Sequence, residues 1–404
     1  MAYIYKRGNK WAYRAYAGKD PVTGKDKQAS KSGFLTKKDA QLAAALFERQ
    51  FHSGEYVEPS AITFETLCND WLKHYLSQGA KESSHRARRI ALTHVVNVFG
   101  QTLIQKITKK AYQDMIDDLS SRFSPNYVSS IHTSANMVFA YAHENKLIKE
   151  VPSKDVKLPK KKKTVADLEK DSINEKFLEK EELEEFLLAA KNEGLEGDLL
   201  TFTMLAYTGL RIGEMIALKW ADIDFINHTL RVYKTCYNPS NNKLDYQLLT
   251  PKTESSVRTI TIDSVLVDLL NAYKNEQDKV AAENKAFYHN NGFIFATNEG
   301  YPKTIKHISL RLQRLLKKTT IQKQITPHSF RHTHTSLLIE ANVHIKEIQE
   351  RLGHSDINTT MDIYAHMTKN VKKEASNKFG DLMKDLSKNL IESKHEQKHE
   401  HDIN

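Results

Sequence analysis

The chain runs to 404 residues, 40 % hydrophobic and 27 % charged, with a formal charge of +10. Single cores stop growing near ~250–300 residues, so two or three domains are expected, and the lack of any run of ~18 apolar residues excludes a helical membrane span. The positive balance favours an acidic partner, of which nucleic acid is the usual one, although many basic proteins bind none.

The first block runs to about residue 58. Its opening, "MAYIYKRGNKW", lacks the apolar stretch of a secretion signal, so a cytoplasmic location is expected. "AYIYKRGNKWAYRAY" alternates around Gly8-Asn9 as a β-hairpin does, and "DPVTG" (20–24) turns the chain into a third strand, "KDKQASKSGF". Thr36 is placed to cap a helix whose Ala40, Ala43, Ala44 and Phe47 face one way. Residues 1–57 hold eleven Lys/Arg against five Asp/Glu. A small basic sheet backed by a helix could lay its strands in a DNA groove, with Arg14, Lys27 and Lys31 as candidate contacts. A cap domain with a solvated basic face has the same composition, and the two readings weigh about equally.

Residues 61–158 read as all-helical. "ITFETLCNDWLKHYL", "SSHRARRIALTHVVNVF", "TKKAYQDMIDDL" and "SPNYVSSIHTSANMVFAYAHEN" each carry i, i+3/i+4 apolar spacing, and Ser, Thr or Pro marks several starts. His85, Arg86, Arg88 and Arg89 cluster at one helix start, where they could meet phosphates, though such a cluster is usually a solvated helix end. A polar, aperiodic linker follows at 159–174; its "PKKKK" is better suited to running along phosphates than to a targeting role.

The third block, 175–385, is mixed. Helices are expected at 179–192, 198–207, 264–285 and 304–318, and strands at 229–235, 245–250 and 257–262 forming one small sheet. A charged tail, 386–404, ends the chain. Cys68 and Cys236 are too few for a disulfide framework and wrongly spaced for a zinc cage. The fold class expected is multidomain α+β: a three-stranded sheet with a helix, an all-helical domain, and a mainly α domain with a small antiparallel sheet.

Within the third block, "AYTGLRIGE" places Arg211 just after Gly209, where one helix would end and the next begin. "LLTPKTESSVRTITI" (248–262) reads as two strands around a turn, with Lys252 at its edge. "TPHSFRHTHTSLLIEAN" (326–342) reads as a helix capped by Thr326, with Pro327 first and Asn342 at the far end. His328 and Arg331, three apart, share a face. His328 and His332 have the spacing of a metal pair, but no H-E-x-x-H pattern is present and Arg331 would repel a dication, so an anion fits better. "IQERLGHSDINTTMDIYAH" ends one helix at Gly353, presents His354 and carries Tyr364 about two turns into another. Singly these signals are weak: most arginines at helix starts and most tyrosines are ordinary surface or packing residues.

In this order, "TGLRIGE", "PKT", "HSFRHT", "LGHSD" and "TTMDIY" resemble the tyrosine recombinase (phage integrase) family over nearly the whole chain. Residues 1–58 resemble the arm-binding domain of integrases from temperate phages and conjugative transposons, and 61–158 look like the helical core-binding domain. The resemblance implies transesterification of a DNA phosphodiester through a 3′-phosphotyrosine, without ATP, metal or other cofactor. Arg211 and Arg331 would stabilise the phosphorane, His328 would take the proton of the nucleophile Tyr364, Lys252 would protonate the leaving 5′-oxygen, and His354 would donate to a non-bridging oxygen. Glu214 would orient the site or pair with Arg211; His332 would buttress it and His334 would be structural. Phe330 stands where many members have leucine.

The implied partners are double-stranded attachment-site DNA, other copies of the chain in a tetramer, and accessory bending and excision proteins. The implied place of work is the bacterial nucleoid. "NVKKEASNKFGDLMKDLSKNLI" continues as an amphipathic helix with Phe379, Leu382, Leu386 and Leu390 in register, which would dock on a neighbouring protomer or pack on its own domain. Three alternatives share parts of this pattern: a chromosome-dimer-resolving recombinase, a type IB topoisomerase, and a non-catalytic DNA-binding regulator with a relic site. The basic block 1–57 disfavours the first, the tail helix the second and the intact Arg/Lys/His/Arg/His/Tyr set the third.

Overall fold

The computed structural model describes residues 2–19, 23–54, 56–160, 177–251 and 253–357, with Met361, Phe379 and Met383. The chain divides into two compact units, Met1–Lys162 and Lys163–Asn404. Lys252, Tyr364, the linker from 161, and Leu382, Leu386 and Leu390 of the expected tail helix lie outside the described residues, as do the histidines of the last residues.

The first unit holds two separate apolar cores. In the first, β1 (Tyr3–Arg7), β2 (Lys10–Lys19) and β3 (Asp26–Phe34) form an antiparallel sheet in that order. Gly8 makes the first turn at φ +61°, a conformation open to glycine at little cost. α1 (Lys37–His52) starts as its sequence predicts, Thr36 Oγ1 accepting the Asp39 N–H at 3.1 Å. Its Ala40, Ala44 and Phe47 are buried, and Ala44 and Phe47 pack with Tyr13 and Ala15 of β2.

Four helices build the second core: α2 (Phe64–Ser77), α3 (Glu82–Phe99), α4 (Lys109–Arg122) and α5 (Pro125–Glu144). Thr63, Thr108 and Ser124 cap α2, α4 and α5 through their hydroxyls, and Pro125 opens α5 where its missing N–H costs nothing. The i, i+3/i+4 stripes converge, burying Phe64, Leu92, Tyr112, Ile116, Val138 and Phe139. Each such side chain contributes roughly 1.5–3 kcal/mol by leaving water.

The second unit opens with α6 (Lys180–Glu193), α7 (Asp198–Thr208) and α8 (Ile212–Ile216). α7 is apolar on nearly every side and runs through the core, as a helix without a polar face must. Next come β4 (Ile223–Asp224), β5 (Thr229–Val232), β6 (Thr235–Tyr237), β7 (Gln247–Leu249) and β8 (Arg258–Thr261), then α9 (Ser264–Glu283), α10 (Ile305–Leu316), α11 (Ser329–Glu340) and α12 (Ile345–Leu352).

Two expectations need correction. The strands form two sheets, β4-β5-β8 and β6-β7, and the expected strand 229–235 breaks at Tyr233–Lys234. There Lys234 reaches the buried Asp222 at 2.6 Å and lies 4.4 Å from the Tyr233 ring centroid. β7 therefore pairs with β6 rather than with β8, and residues 254–256 make a 3-10 turn before β8. α11 begins at Ser329, three residues later than its apparent cap. Ser329 donates its N–H to Thr326 O at 2.9 Å, and its Oγ accepts the Thr326 N–H at 3.1 Å, closing a turn that holds Pro327 and His328.

Candidate active site

Arg211 stands at the junction foreseen in the sequence. Gly209 ends α7 in the left-handed region, φ +62°, and Arg211 occupies the N-cap of α8 two residues on. One turn into α8, Glu214 is buried. Its Oε1 accepts from Arg211 Nη1 at 2.9 Å and its Oε2 from the Arg211 backbone N–H at 3.1 Å. The carboxylate thus orients the guanidinium and satisfies a free donor of the helix start.

Arg331, one turn into α11, is only 2 % exposed. Its Nη1 donates to Gly209 O at 2.9 Å and its Nη2 to Leu352 O at 2.7 Å, while Nε donates to His354 Nε2 at 3.3 Å. Gly209 and Leu352 lie at the C-terminal ends of α7 and α12, where unpaired carbonyls carry partial negative charge. One buried cation therefore joins two helix ends and a histidine. Burial first, then Arg211, lowers the Arg331 pKa to about 9, against the pull of Glu214. Arg331 keeps its charge at neutral pH.

His354 follows Gly353, the αL residue that stops α12 at φ +66°. A Cβ at Gly353 would sit 2.9 Å from Ser255 O, so the turn closes only on glycine. Burial, followed by Arg331, Arg211 and Arg258, pushes His354 down to about 3, leaving it neutral. Because Arg331 Nε can only donate, His354 Nε2 is the acceptor and the proton sits on Nδ1, which gives the ring a donor there.

His328 sits on the turn ahead of α11, at the N-cap, with its outer edge open to solvent. Packing on its inner side, then the charges of Arg331 and Arg211, hold it below the ordinary histidine range. It meets His332 edge to face at 4.8 Å. His334 belongs elsewhere: Nδ1 donates to Ala206 O at 2.8 Å and Nε2 accepts from Arg351 Nε at 3.1 Å, deep in the core.

Arg211, Glu214, Arg331 and His354 thus meet in one place, and His328 feels the same charges. A fifth member had not been singled out. Arg258, at the start of β8, donates Nη2 to Glu214 Oε2 at 3.0 Å. Its signal in the sequence was a lone arginine entering the run "RTITI", a strand whose inner face should be apolar. Three guanidiniums around one carboxylate leave an excess of positive charge, partly desolvated, which suits a phosphate. Among the described residues no group of three or more His, Cys, Asp or Glu could hold a metal ion. Cys68 and Cys236 lie in different cores, each thiol pushed up to about 11 by burial. No helix among the described residues is long and apolar enough to cross a membrane.

The other basic candidates are dispersed. Arg14 pairs with Ser30 across the sheet, on the open side opposite Tyr13 and Ala15, with its guanidinium 5.8 Å from the Tyr5 ring centroid. Lys31 is in register with Tyr13 and so belongs to the helix side, though exposed, and Lys27 is paired with Glu58 at 2.9 Å. On α3, Arg88 turns inward to Ser134 Oγ of α5 at 3.2 Å, Arg86 is half-buried and Arg89 exposed.

Comparison with known proteins bears on most of the chain. Residues 176–371 match the phage integrase family, residues 3–51 an arm DNA-binding domain, and residues 63–120 the N-terminal SAM-like domain of phage integrases. The integrase of Staphylococcus phage L54a is 31 % identical over 337 residues, covering 81 % of this chain and 95 % of the relative. The ICEBs1 integrase of Bacillus subtilis (strain 168) is 30 % identical over 371 residues, covering 91 % and 95 %. In fold, the chain is similar to the Tn1549 transposon integrase solved with transposon right end DNA, at a TM-score of 0.62 and 21 % identity, covering 78 % of this chain and 99 % of that one.

Fold and matches together place the chain among the tyrosine recombinases. It belongs to the phage integrase family and is an integrase of the phage and conjugative-transposon type.

Proposed function

We propose that residues 175–385 cut and rejoin DNA through a 3′-phosphotyrosine formed by Tyr364, integrating and excising a mobile element. The observation that carries this reading is the cluster in which half-exposed Arg211 meets buried Glu214, Arg331 and His354, with its surplus of positive charge. In the reaction, Tyr364 Oη bonds to phosphorus while the bond from phosphorus to the 5′-oxygen breaks. The tyrosine proton passes to His328, whose lowered basicity leaves it neutral and able to accept. Lys252 gives a proton to the departing 5′-oxygen. Arg211 and Arg331 hold the non-bridging oxygens, each charge-assisted hydrogen bond being worth ~1.5–3 kcal/mol, and His354 donates from Nδ1. Energy is kept in the new ester, so a 5′-hydroxyl of another duplex can reverse the step without ATP, and no metal is needed.

Residues 1–58 would hold distal arm sites, and 61–158 with the catalytic domain would clamp the crossover site, joined by the linker 159–174. Arg14 is the arm contact best supported by its place on the open sheet face beside Tyr5; Arg86 and Arg89 follow on α3. Exchange between two duplexes breaks four strands, which calls for four nucleophiles and hence a tetramer. Bending and excision proteins would assist it in the bacterial cytoplasm.

Covalent trapping tests this reading. The protein, in excess EDTA, is incubated with a nicked duplex carrying the element's own junction, beside Tyr364→Phe. DNA that stays with the denatured wild-type protein and not with Tyr364→Phe is the expected result. Binding without any adduct would instead favour a DNA-binding regulator.

A further inference from the structure

Glu214 is shared between two arginines that differ in kind. The guanidinium of Arg211 gives it one nitrogen, its second terminal nitrogen lies 3.4 Å from Gly353 O, and its side chain is 40 % exposed. Arg258 is 6 % exposed, and each of its three nitrogens donates to a protein oxygen: Nε to Arg351 O at 2.7 Å, Nη1 to Ser256 O at 3.0 Å, Nη2 to Glu214 Oε2 at 3.0 Å. These three bonds pin the guanidinium beside Glu214. Its charge still acts. A buried carboxylate with a single arginine forms a neutral pair, and that arginine loses most of its pull on a further anion.

We propose that Arg258 is a positioning residue: it balances the charge of Glu214, so that Glu214 can aim Arg211 without neutralising it for phosphate. This rests on the reading of Arg211 as a phosphate ligand. The backbone contacts of Arg258 serve the same end, since they tie the start of β8 to Arg351, three residues ahead of His354. Arg258, Arg211 and Arg331 are the charged groups that act on Glu214, and the first two hold its carboxyl below the ordinary range against burial, which raises it.

The test uses the full chain and four variants: Arg258→Met, Arg258→Lys, Glu214→Gln and the double variant Arg258→Met/Glu214→Gln. Single-turnover adduct formation on the nicked duplex is measured with DNA affinity and thermal unfolding. Arg258→Met is expected to slow adduct formation about 10–100-fold, the cost of a misdirected group near the reacting atoms, while Arg258→Lys recovers most of the rate. With Gln at 214 there is no charge to balance, so the double variant should match Glu214→Gln. A double variant slower than Glu214→Gln would make Arg258 a mere backbone pin and overturn the proposal, even if Arg258→Met alone did not fold.

A second readout needs no chemistry. Titration of the Glu214 carboxyl by carbon-13 NMR should show a higher pKa in Arg258→Met than in wild type, and an unshifted one in Arg258→Lys. An unmoved Glu214 in Arg258→Met rejects charge balancing whether or not any adduct forms. Absence of an adduct in the wild type would sink the functional reading alone.

Discussion

His334 shows how much burial decides for a single residue. It is 6 % exposed, and burial first, then Arg351, pushes its pKa from 6.5 to about 4. The unfolded chain therefore takes up this proton before the folded one does. Its contribution to stability is complete above pH 6.5 and is lost as pH falls towards 4, at about 1.4 kcal/mol per unit. His354, pushed to about 3, acts in the same direction. His334→Gln should flatten the acid limb of stability in urea unfolding followed from pH 7.5 to 4; a slope equal to wild type would place the acid lability elsewhere. Gly209 is constrained as tightly. At φ +62°, an added Cβ would lie 2.7 Å from both His334 Cδ2 and Leu352 Cδ2. Gly209→Ala combines left-handed strain with overpacking and should cost roughly 1–3 kcal/mol, read as a lower denaturation midpoint.

At the scale of elements, α11 is held by rings. Phe330 lies 5.4 Å from Phe186 of α6 and 5.6 Å from Phe202 of α7, ring centroid to centroid. A leucine here would leave part of that space empty. Phe330→Leu should lower stability by roughly 1–2 kcal/mol with an unchanged denaturant slope. An unchanged midpoint would mean that the core closes over the loss. Helices were the legible elements because their apolar residues repeat every three or four positions and Thr36, Thr63, Thr108 and Ser124 mark starts with their own hydroxyls. The run 229–235 misled because alternation in Thr-Leu-Arg-Val-Tyr-Lys-Thr continues straight through the break. Nothing local signals that Lys234 will leave the ladder for Asp222.

For the molecule as a whole, the charge of +10 says that DNA is a reasonable partner and not where it lies. Under the proposed division of labour, arm and crossover contacts are separable. Arg14→Ala should weaken binding to the element's distal arm repeats and lessen its salt dependence, while leaving adduct formation on the nicked junction duplex at the wild-type rate. Mobility-shift titrations at several salt concentrations, set beside the trapping assay, decide this. Loss of adduct in Arg14→Ala would tie the first block directly to the crossover site.

The sequence by itself determined the order of the helices, the caps of α1, α2, α4 and α5 and the short motifs that place Arg211, Arg331 and His354, because these depend on neighbours within a turn or two. It also foretold a structural His334. Only the tertiary structure decided which charges meet. Arg258 and Glu214 are 44 residues apart, and Arg331 reaches carbonyls 122 and 21 residues away. It likewise separated Arg14 from Lys27 and Lys31, and turned Arg88 from the surface to Ser134. Motif spacing fixes where a side chain leaves the backbone, whereas the protonation and pairing of that side chain depend on burial and on charges brought in by distant segments.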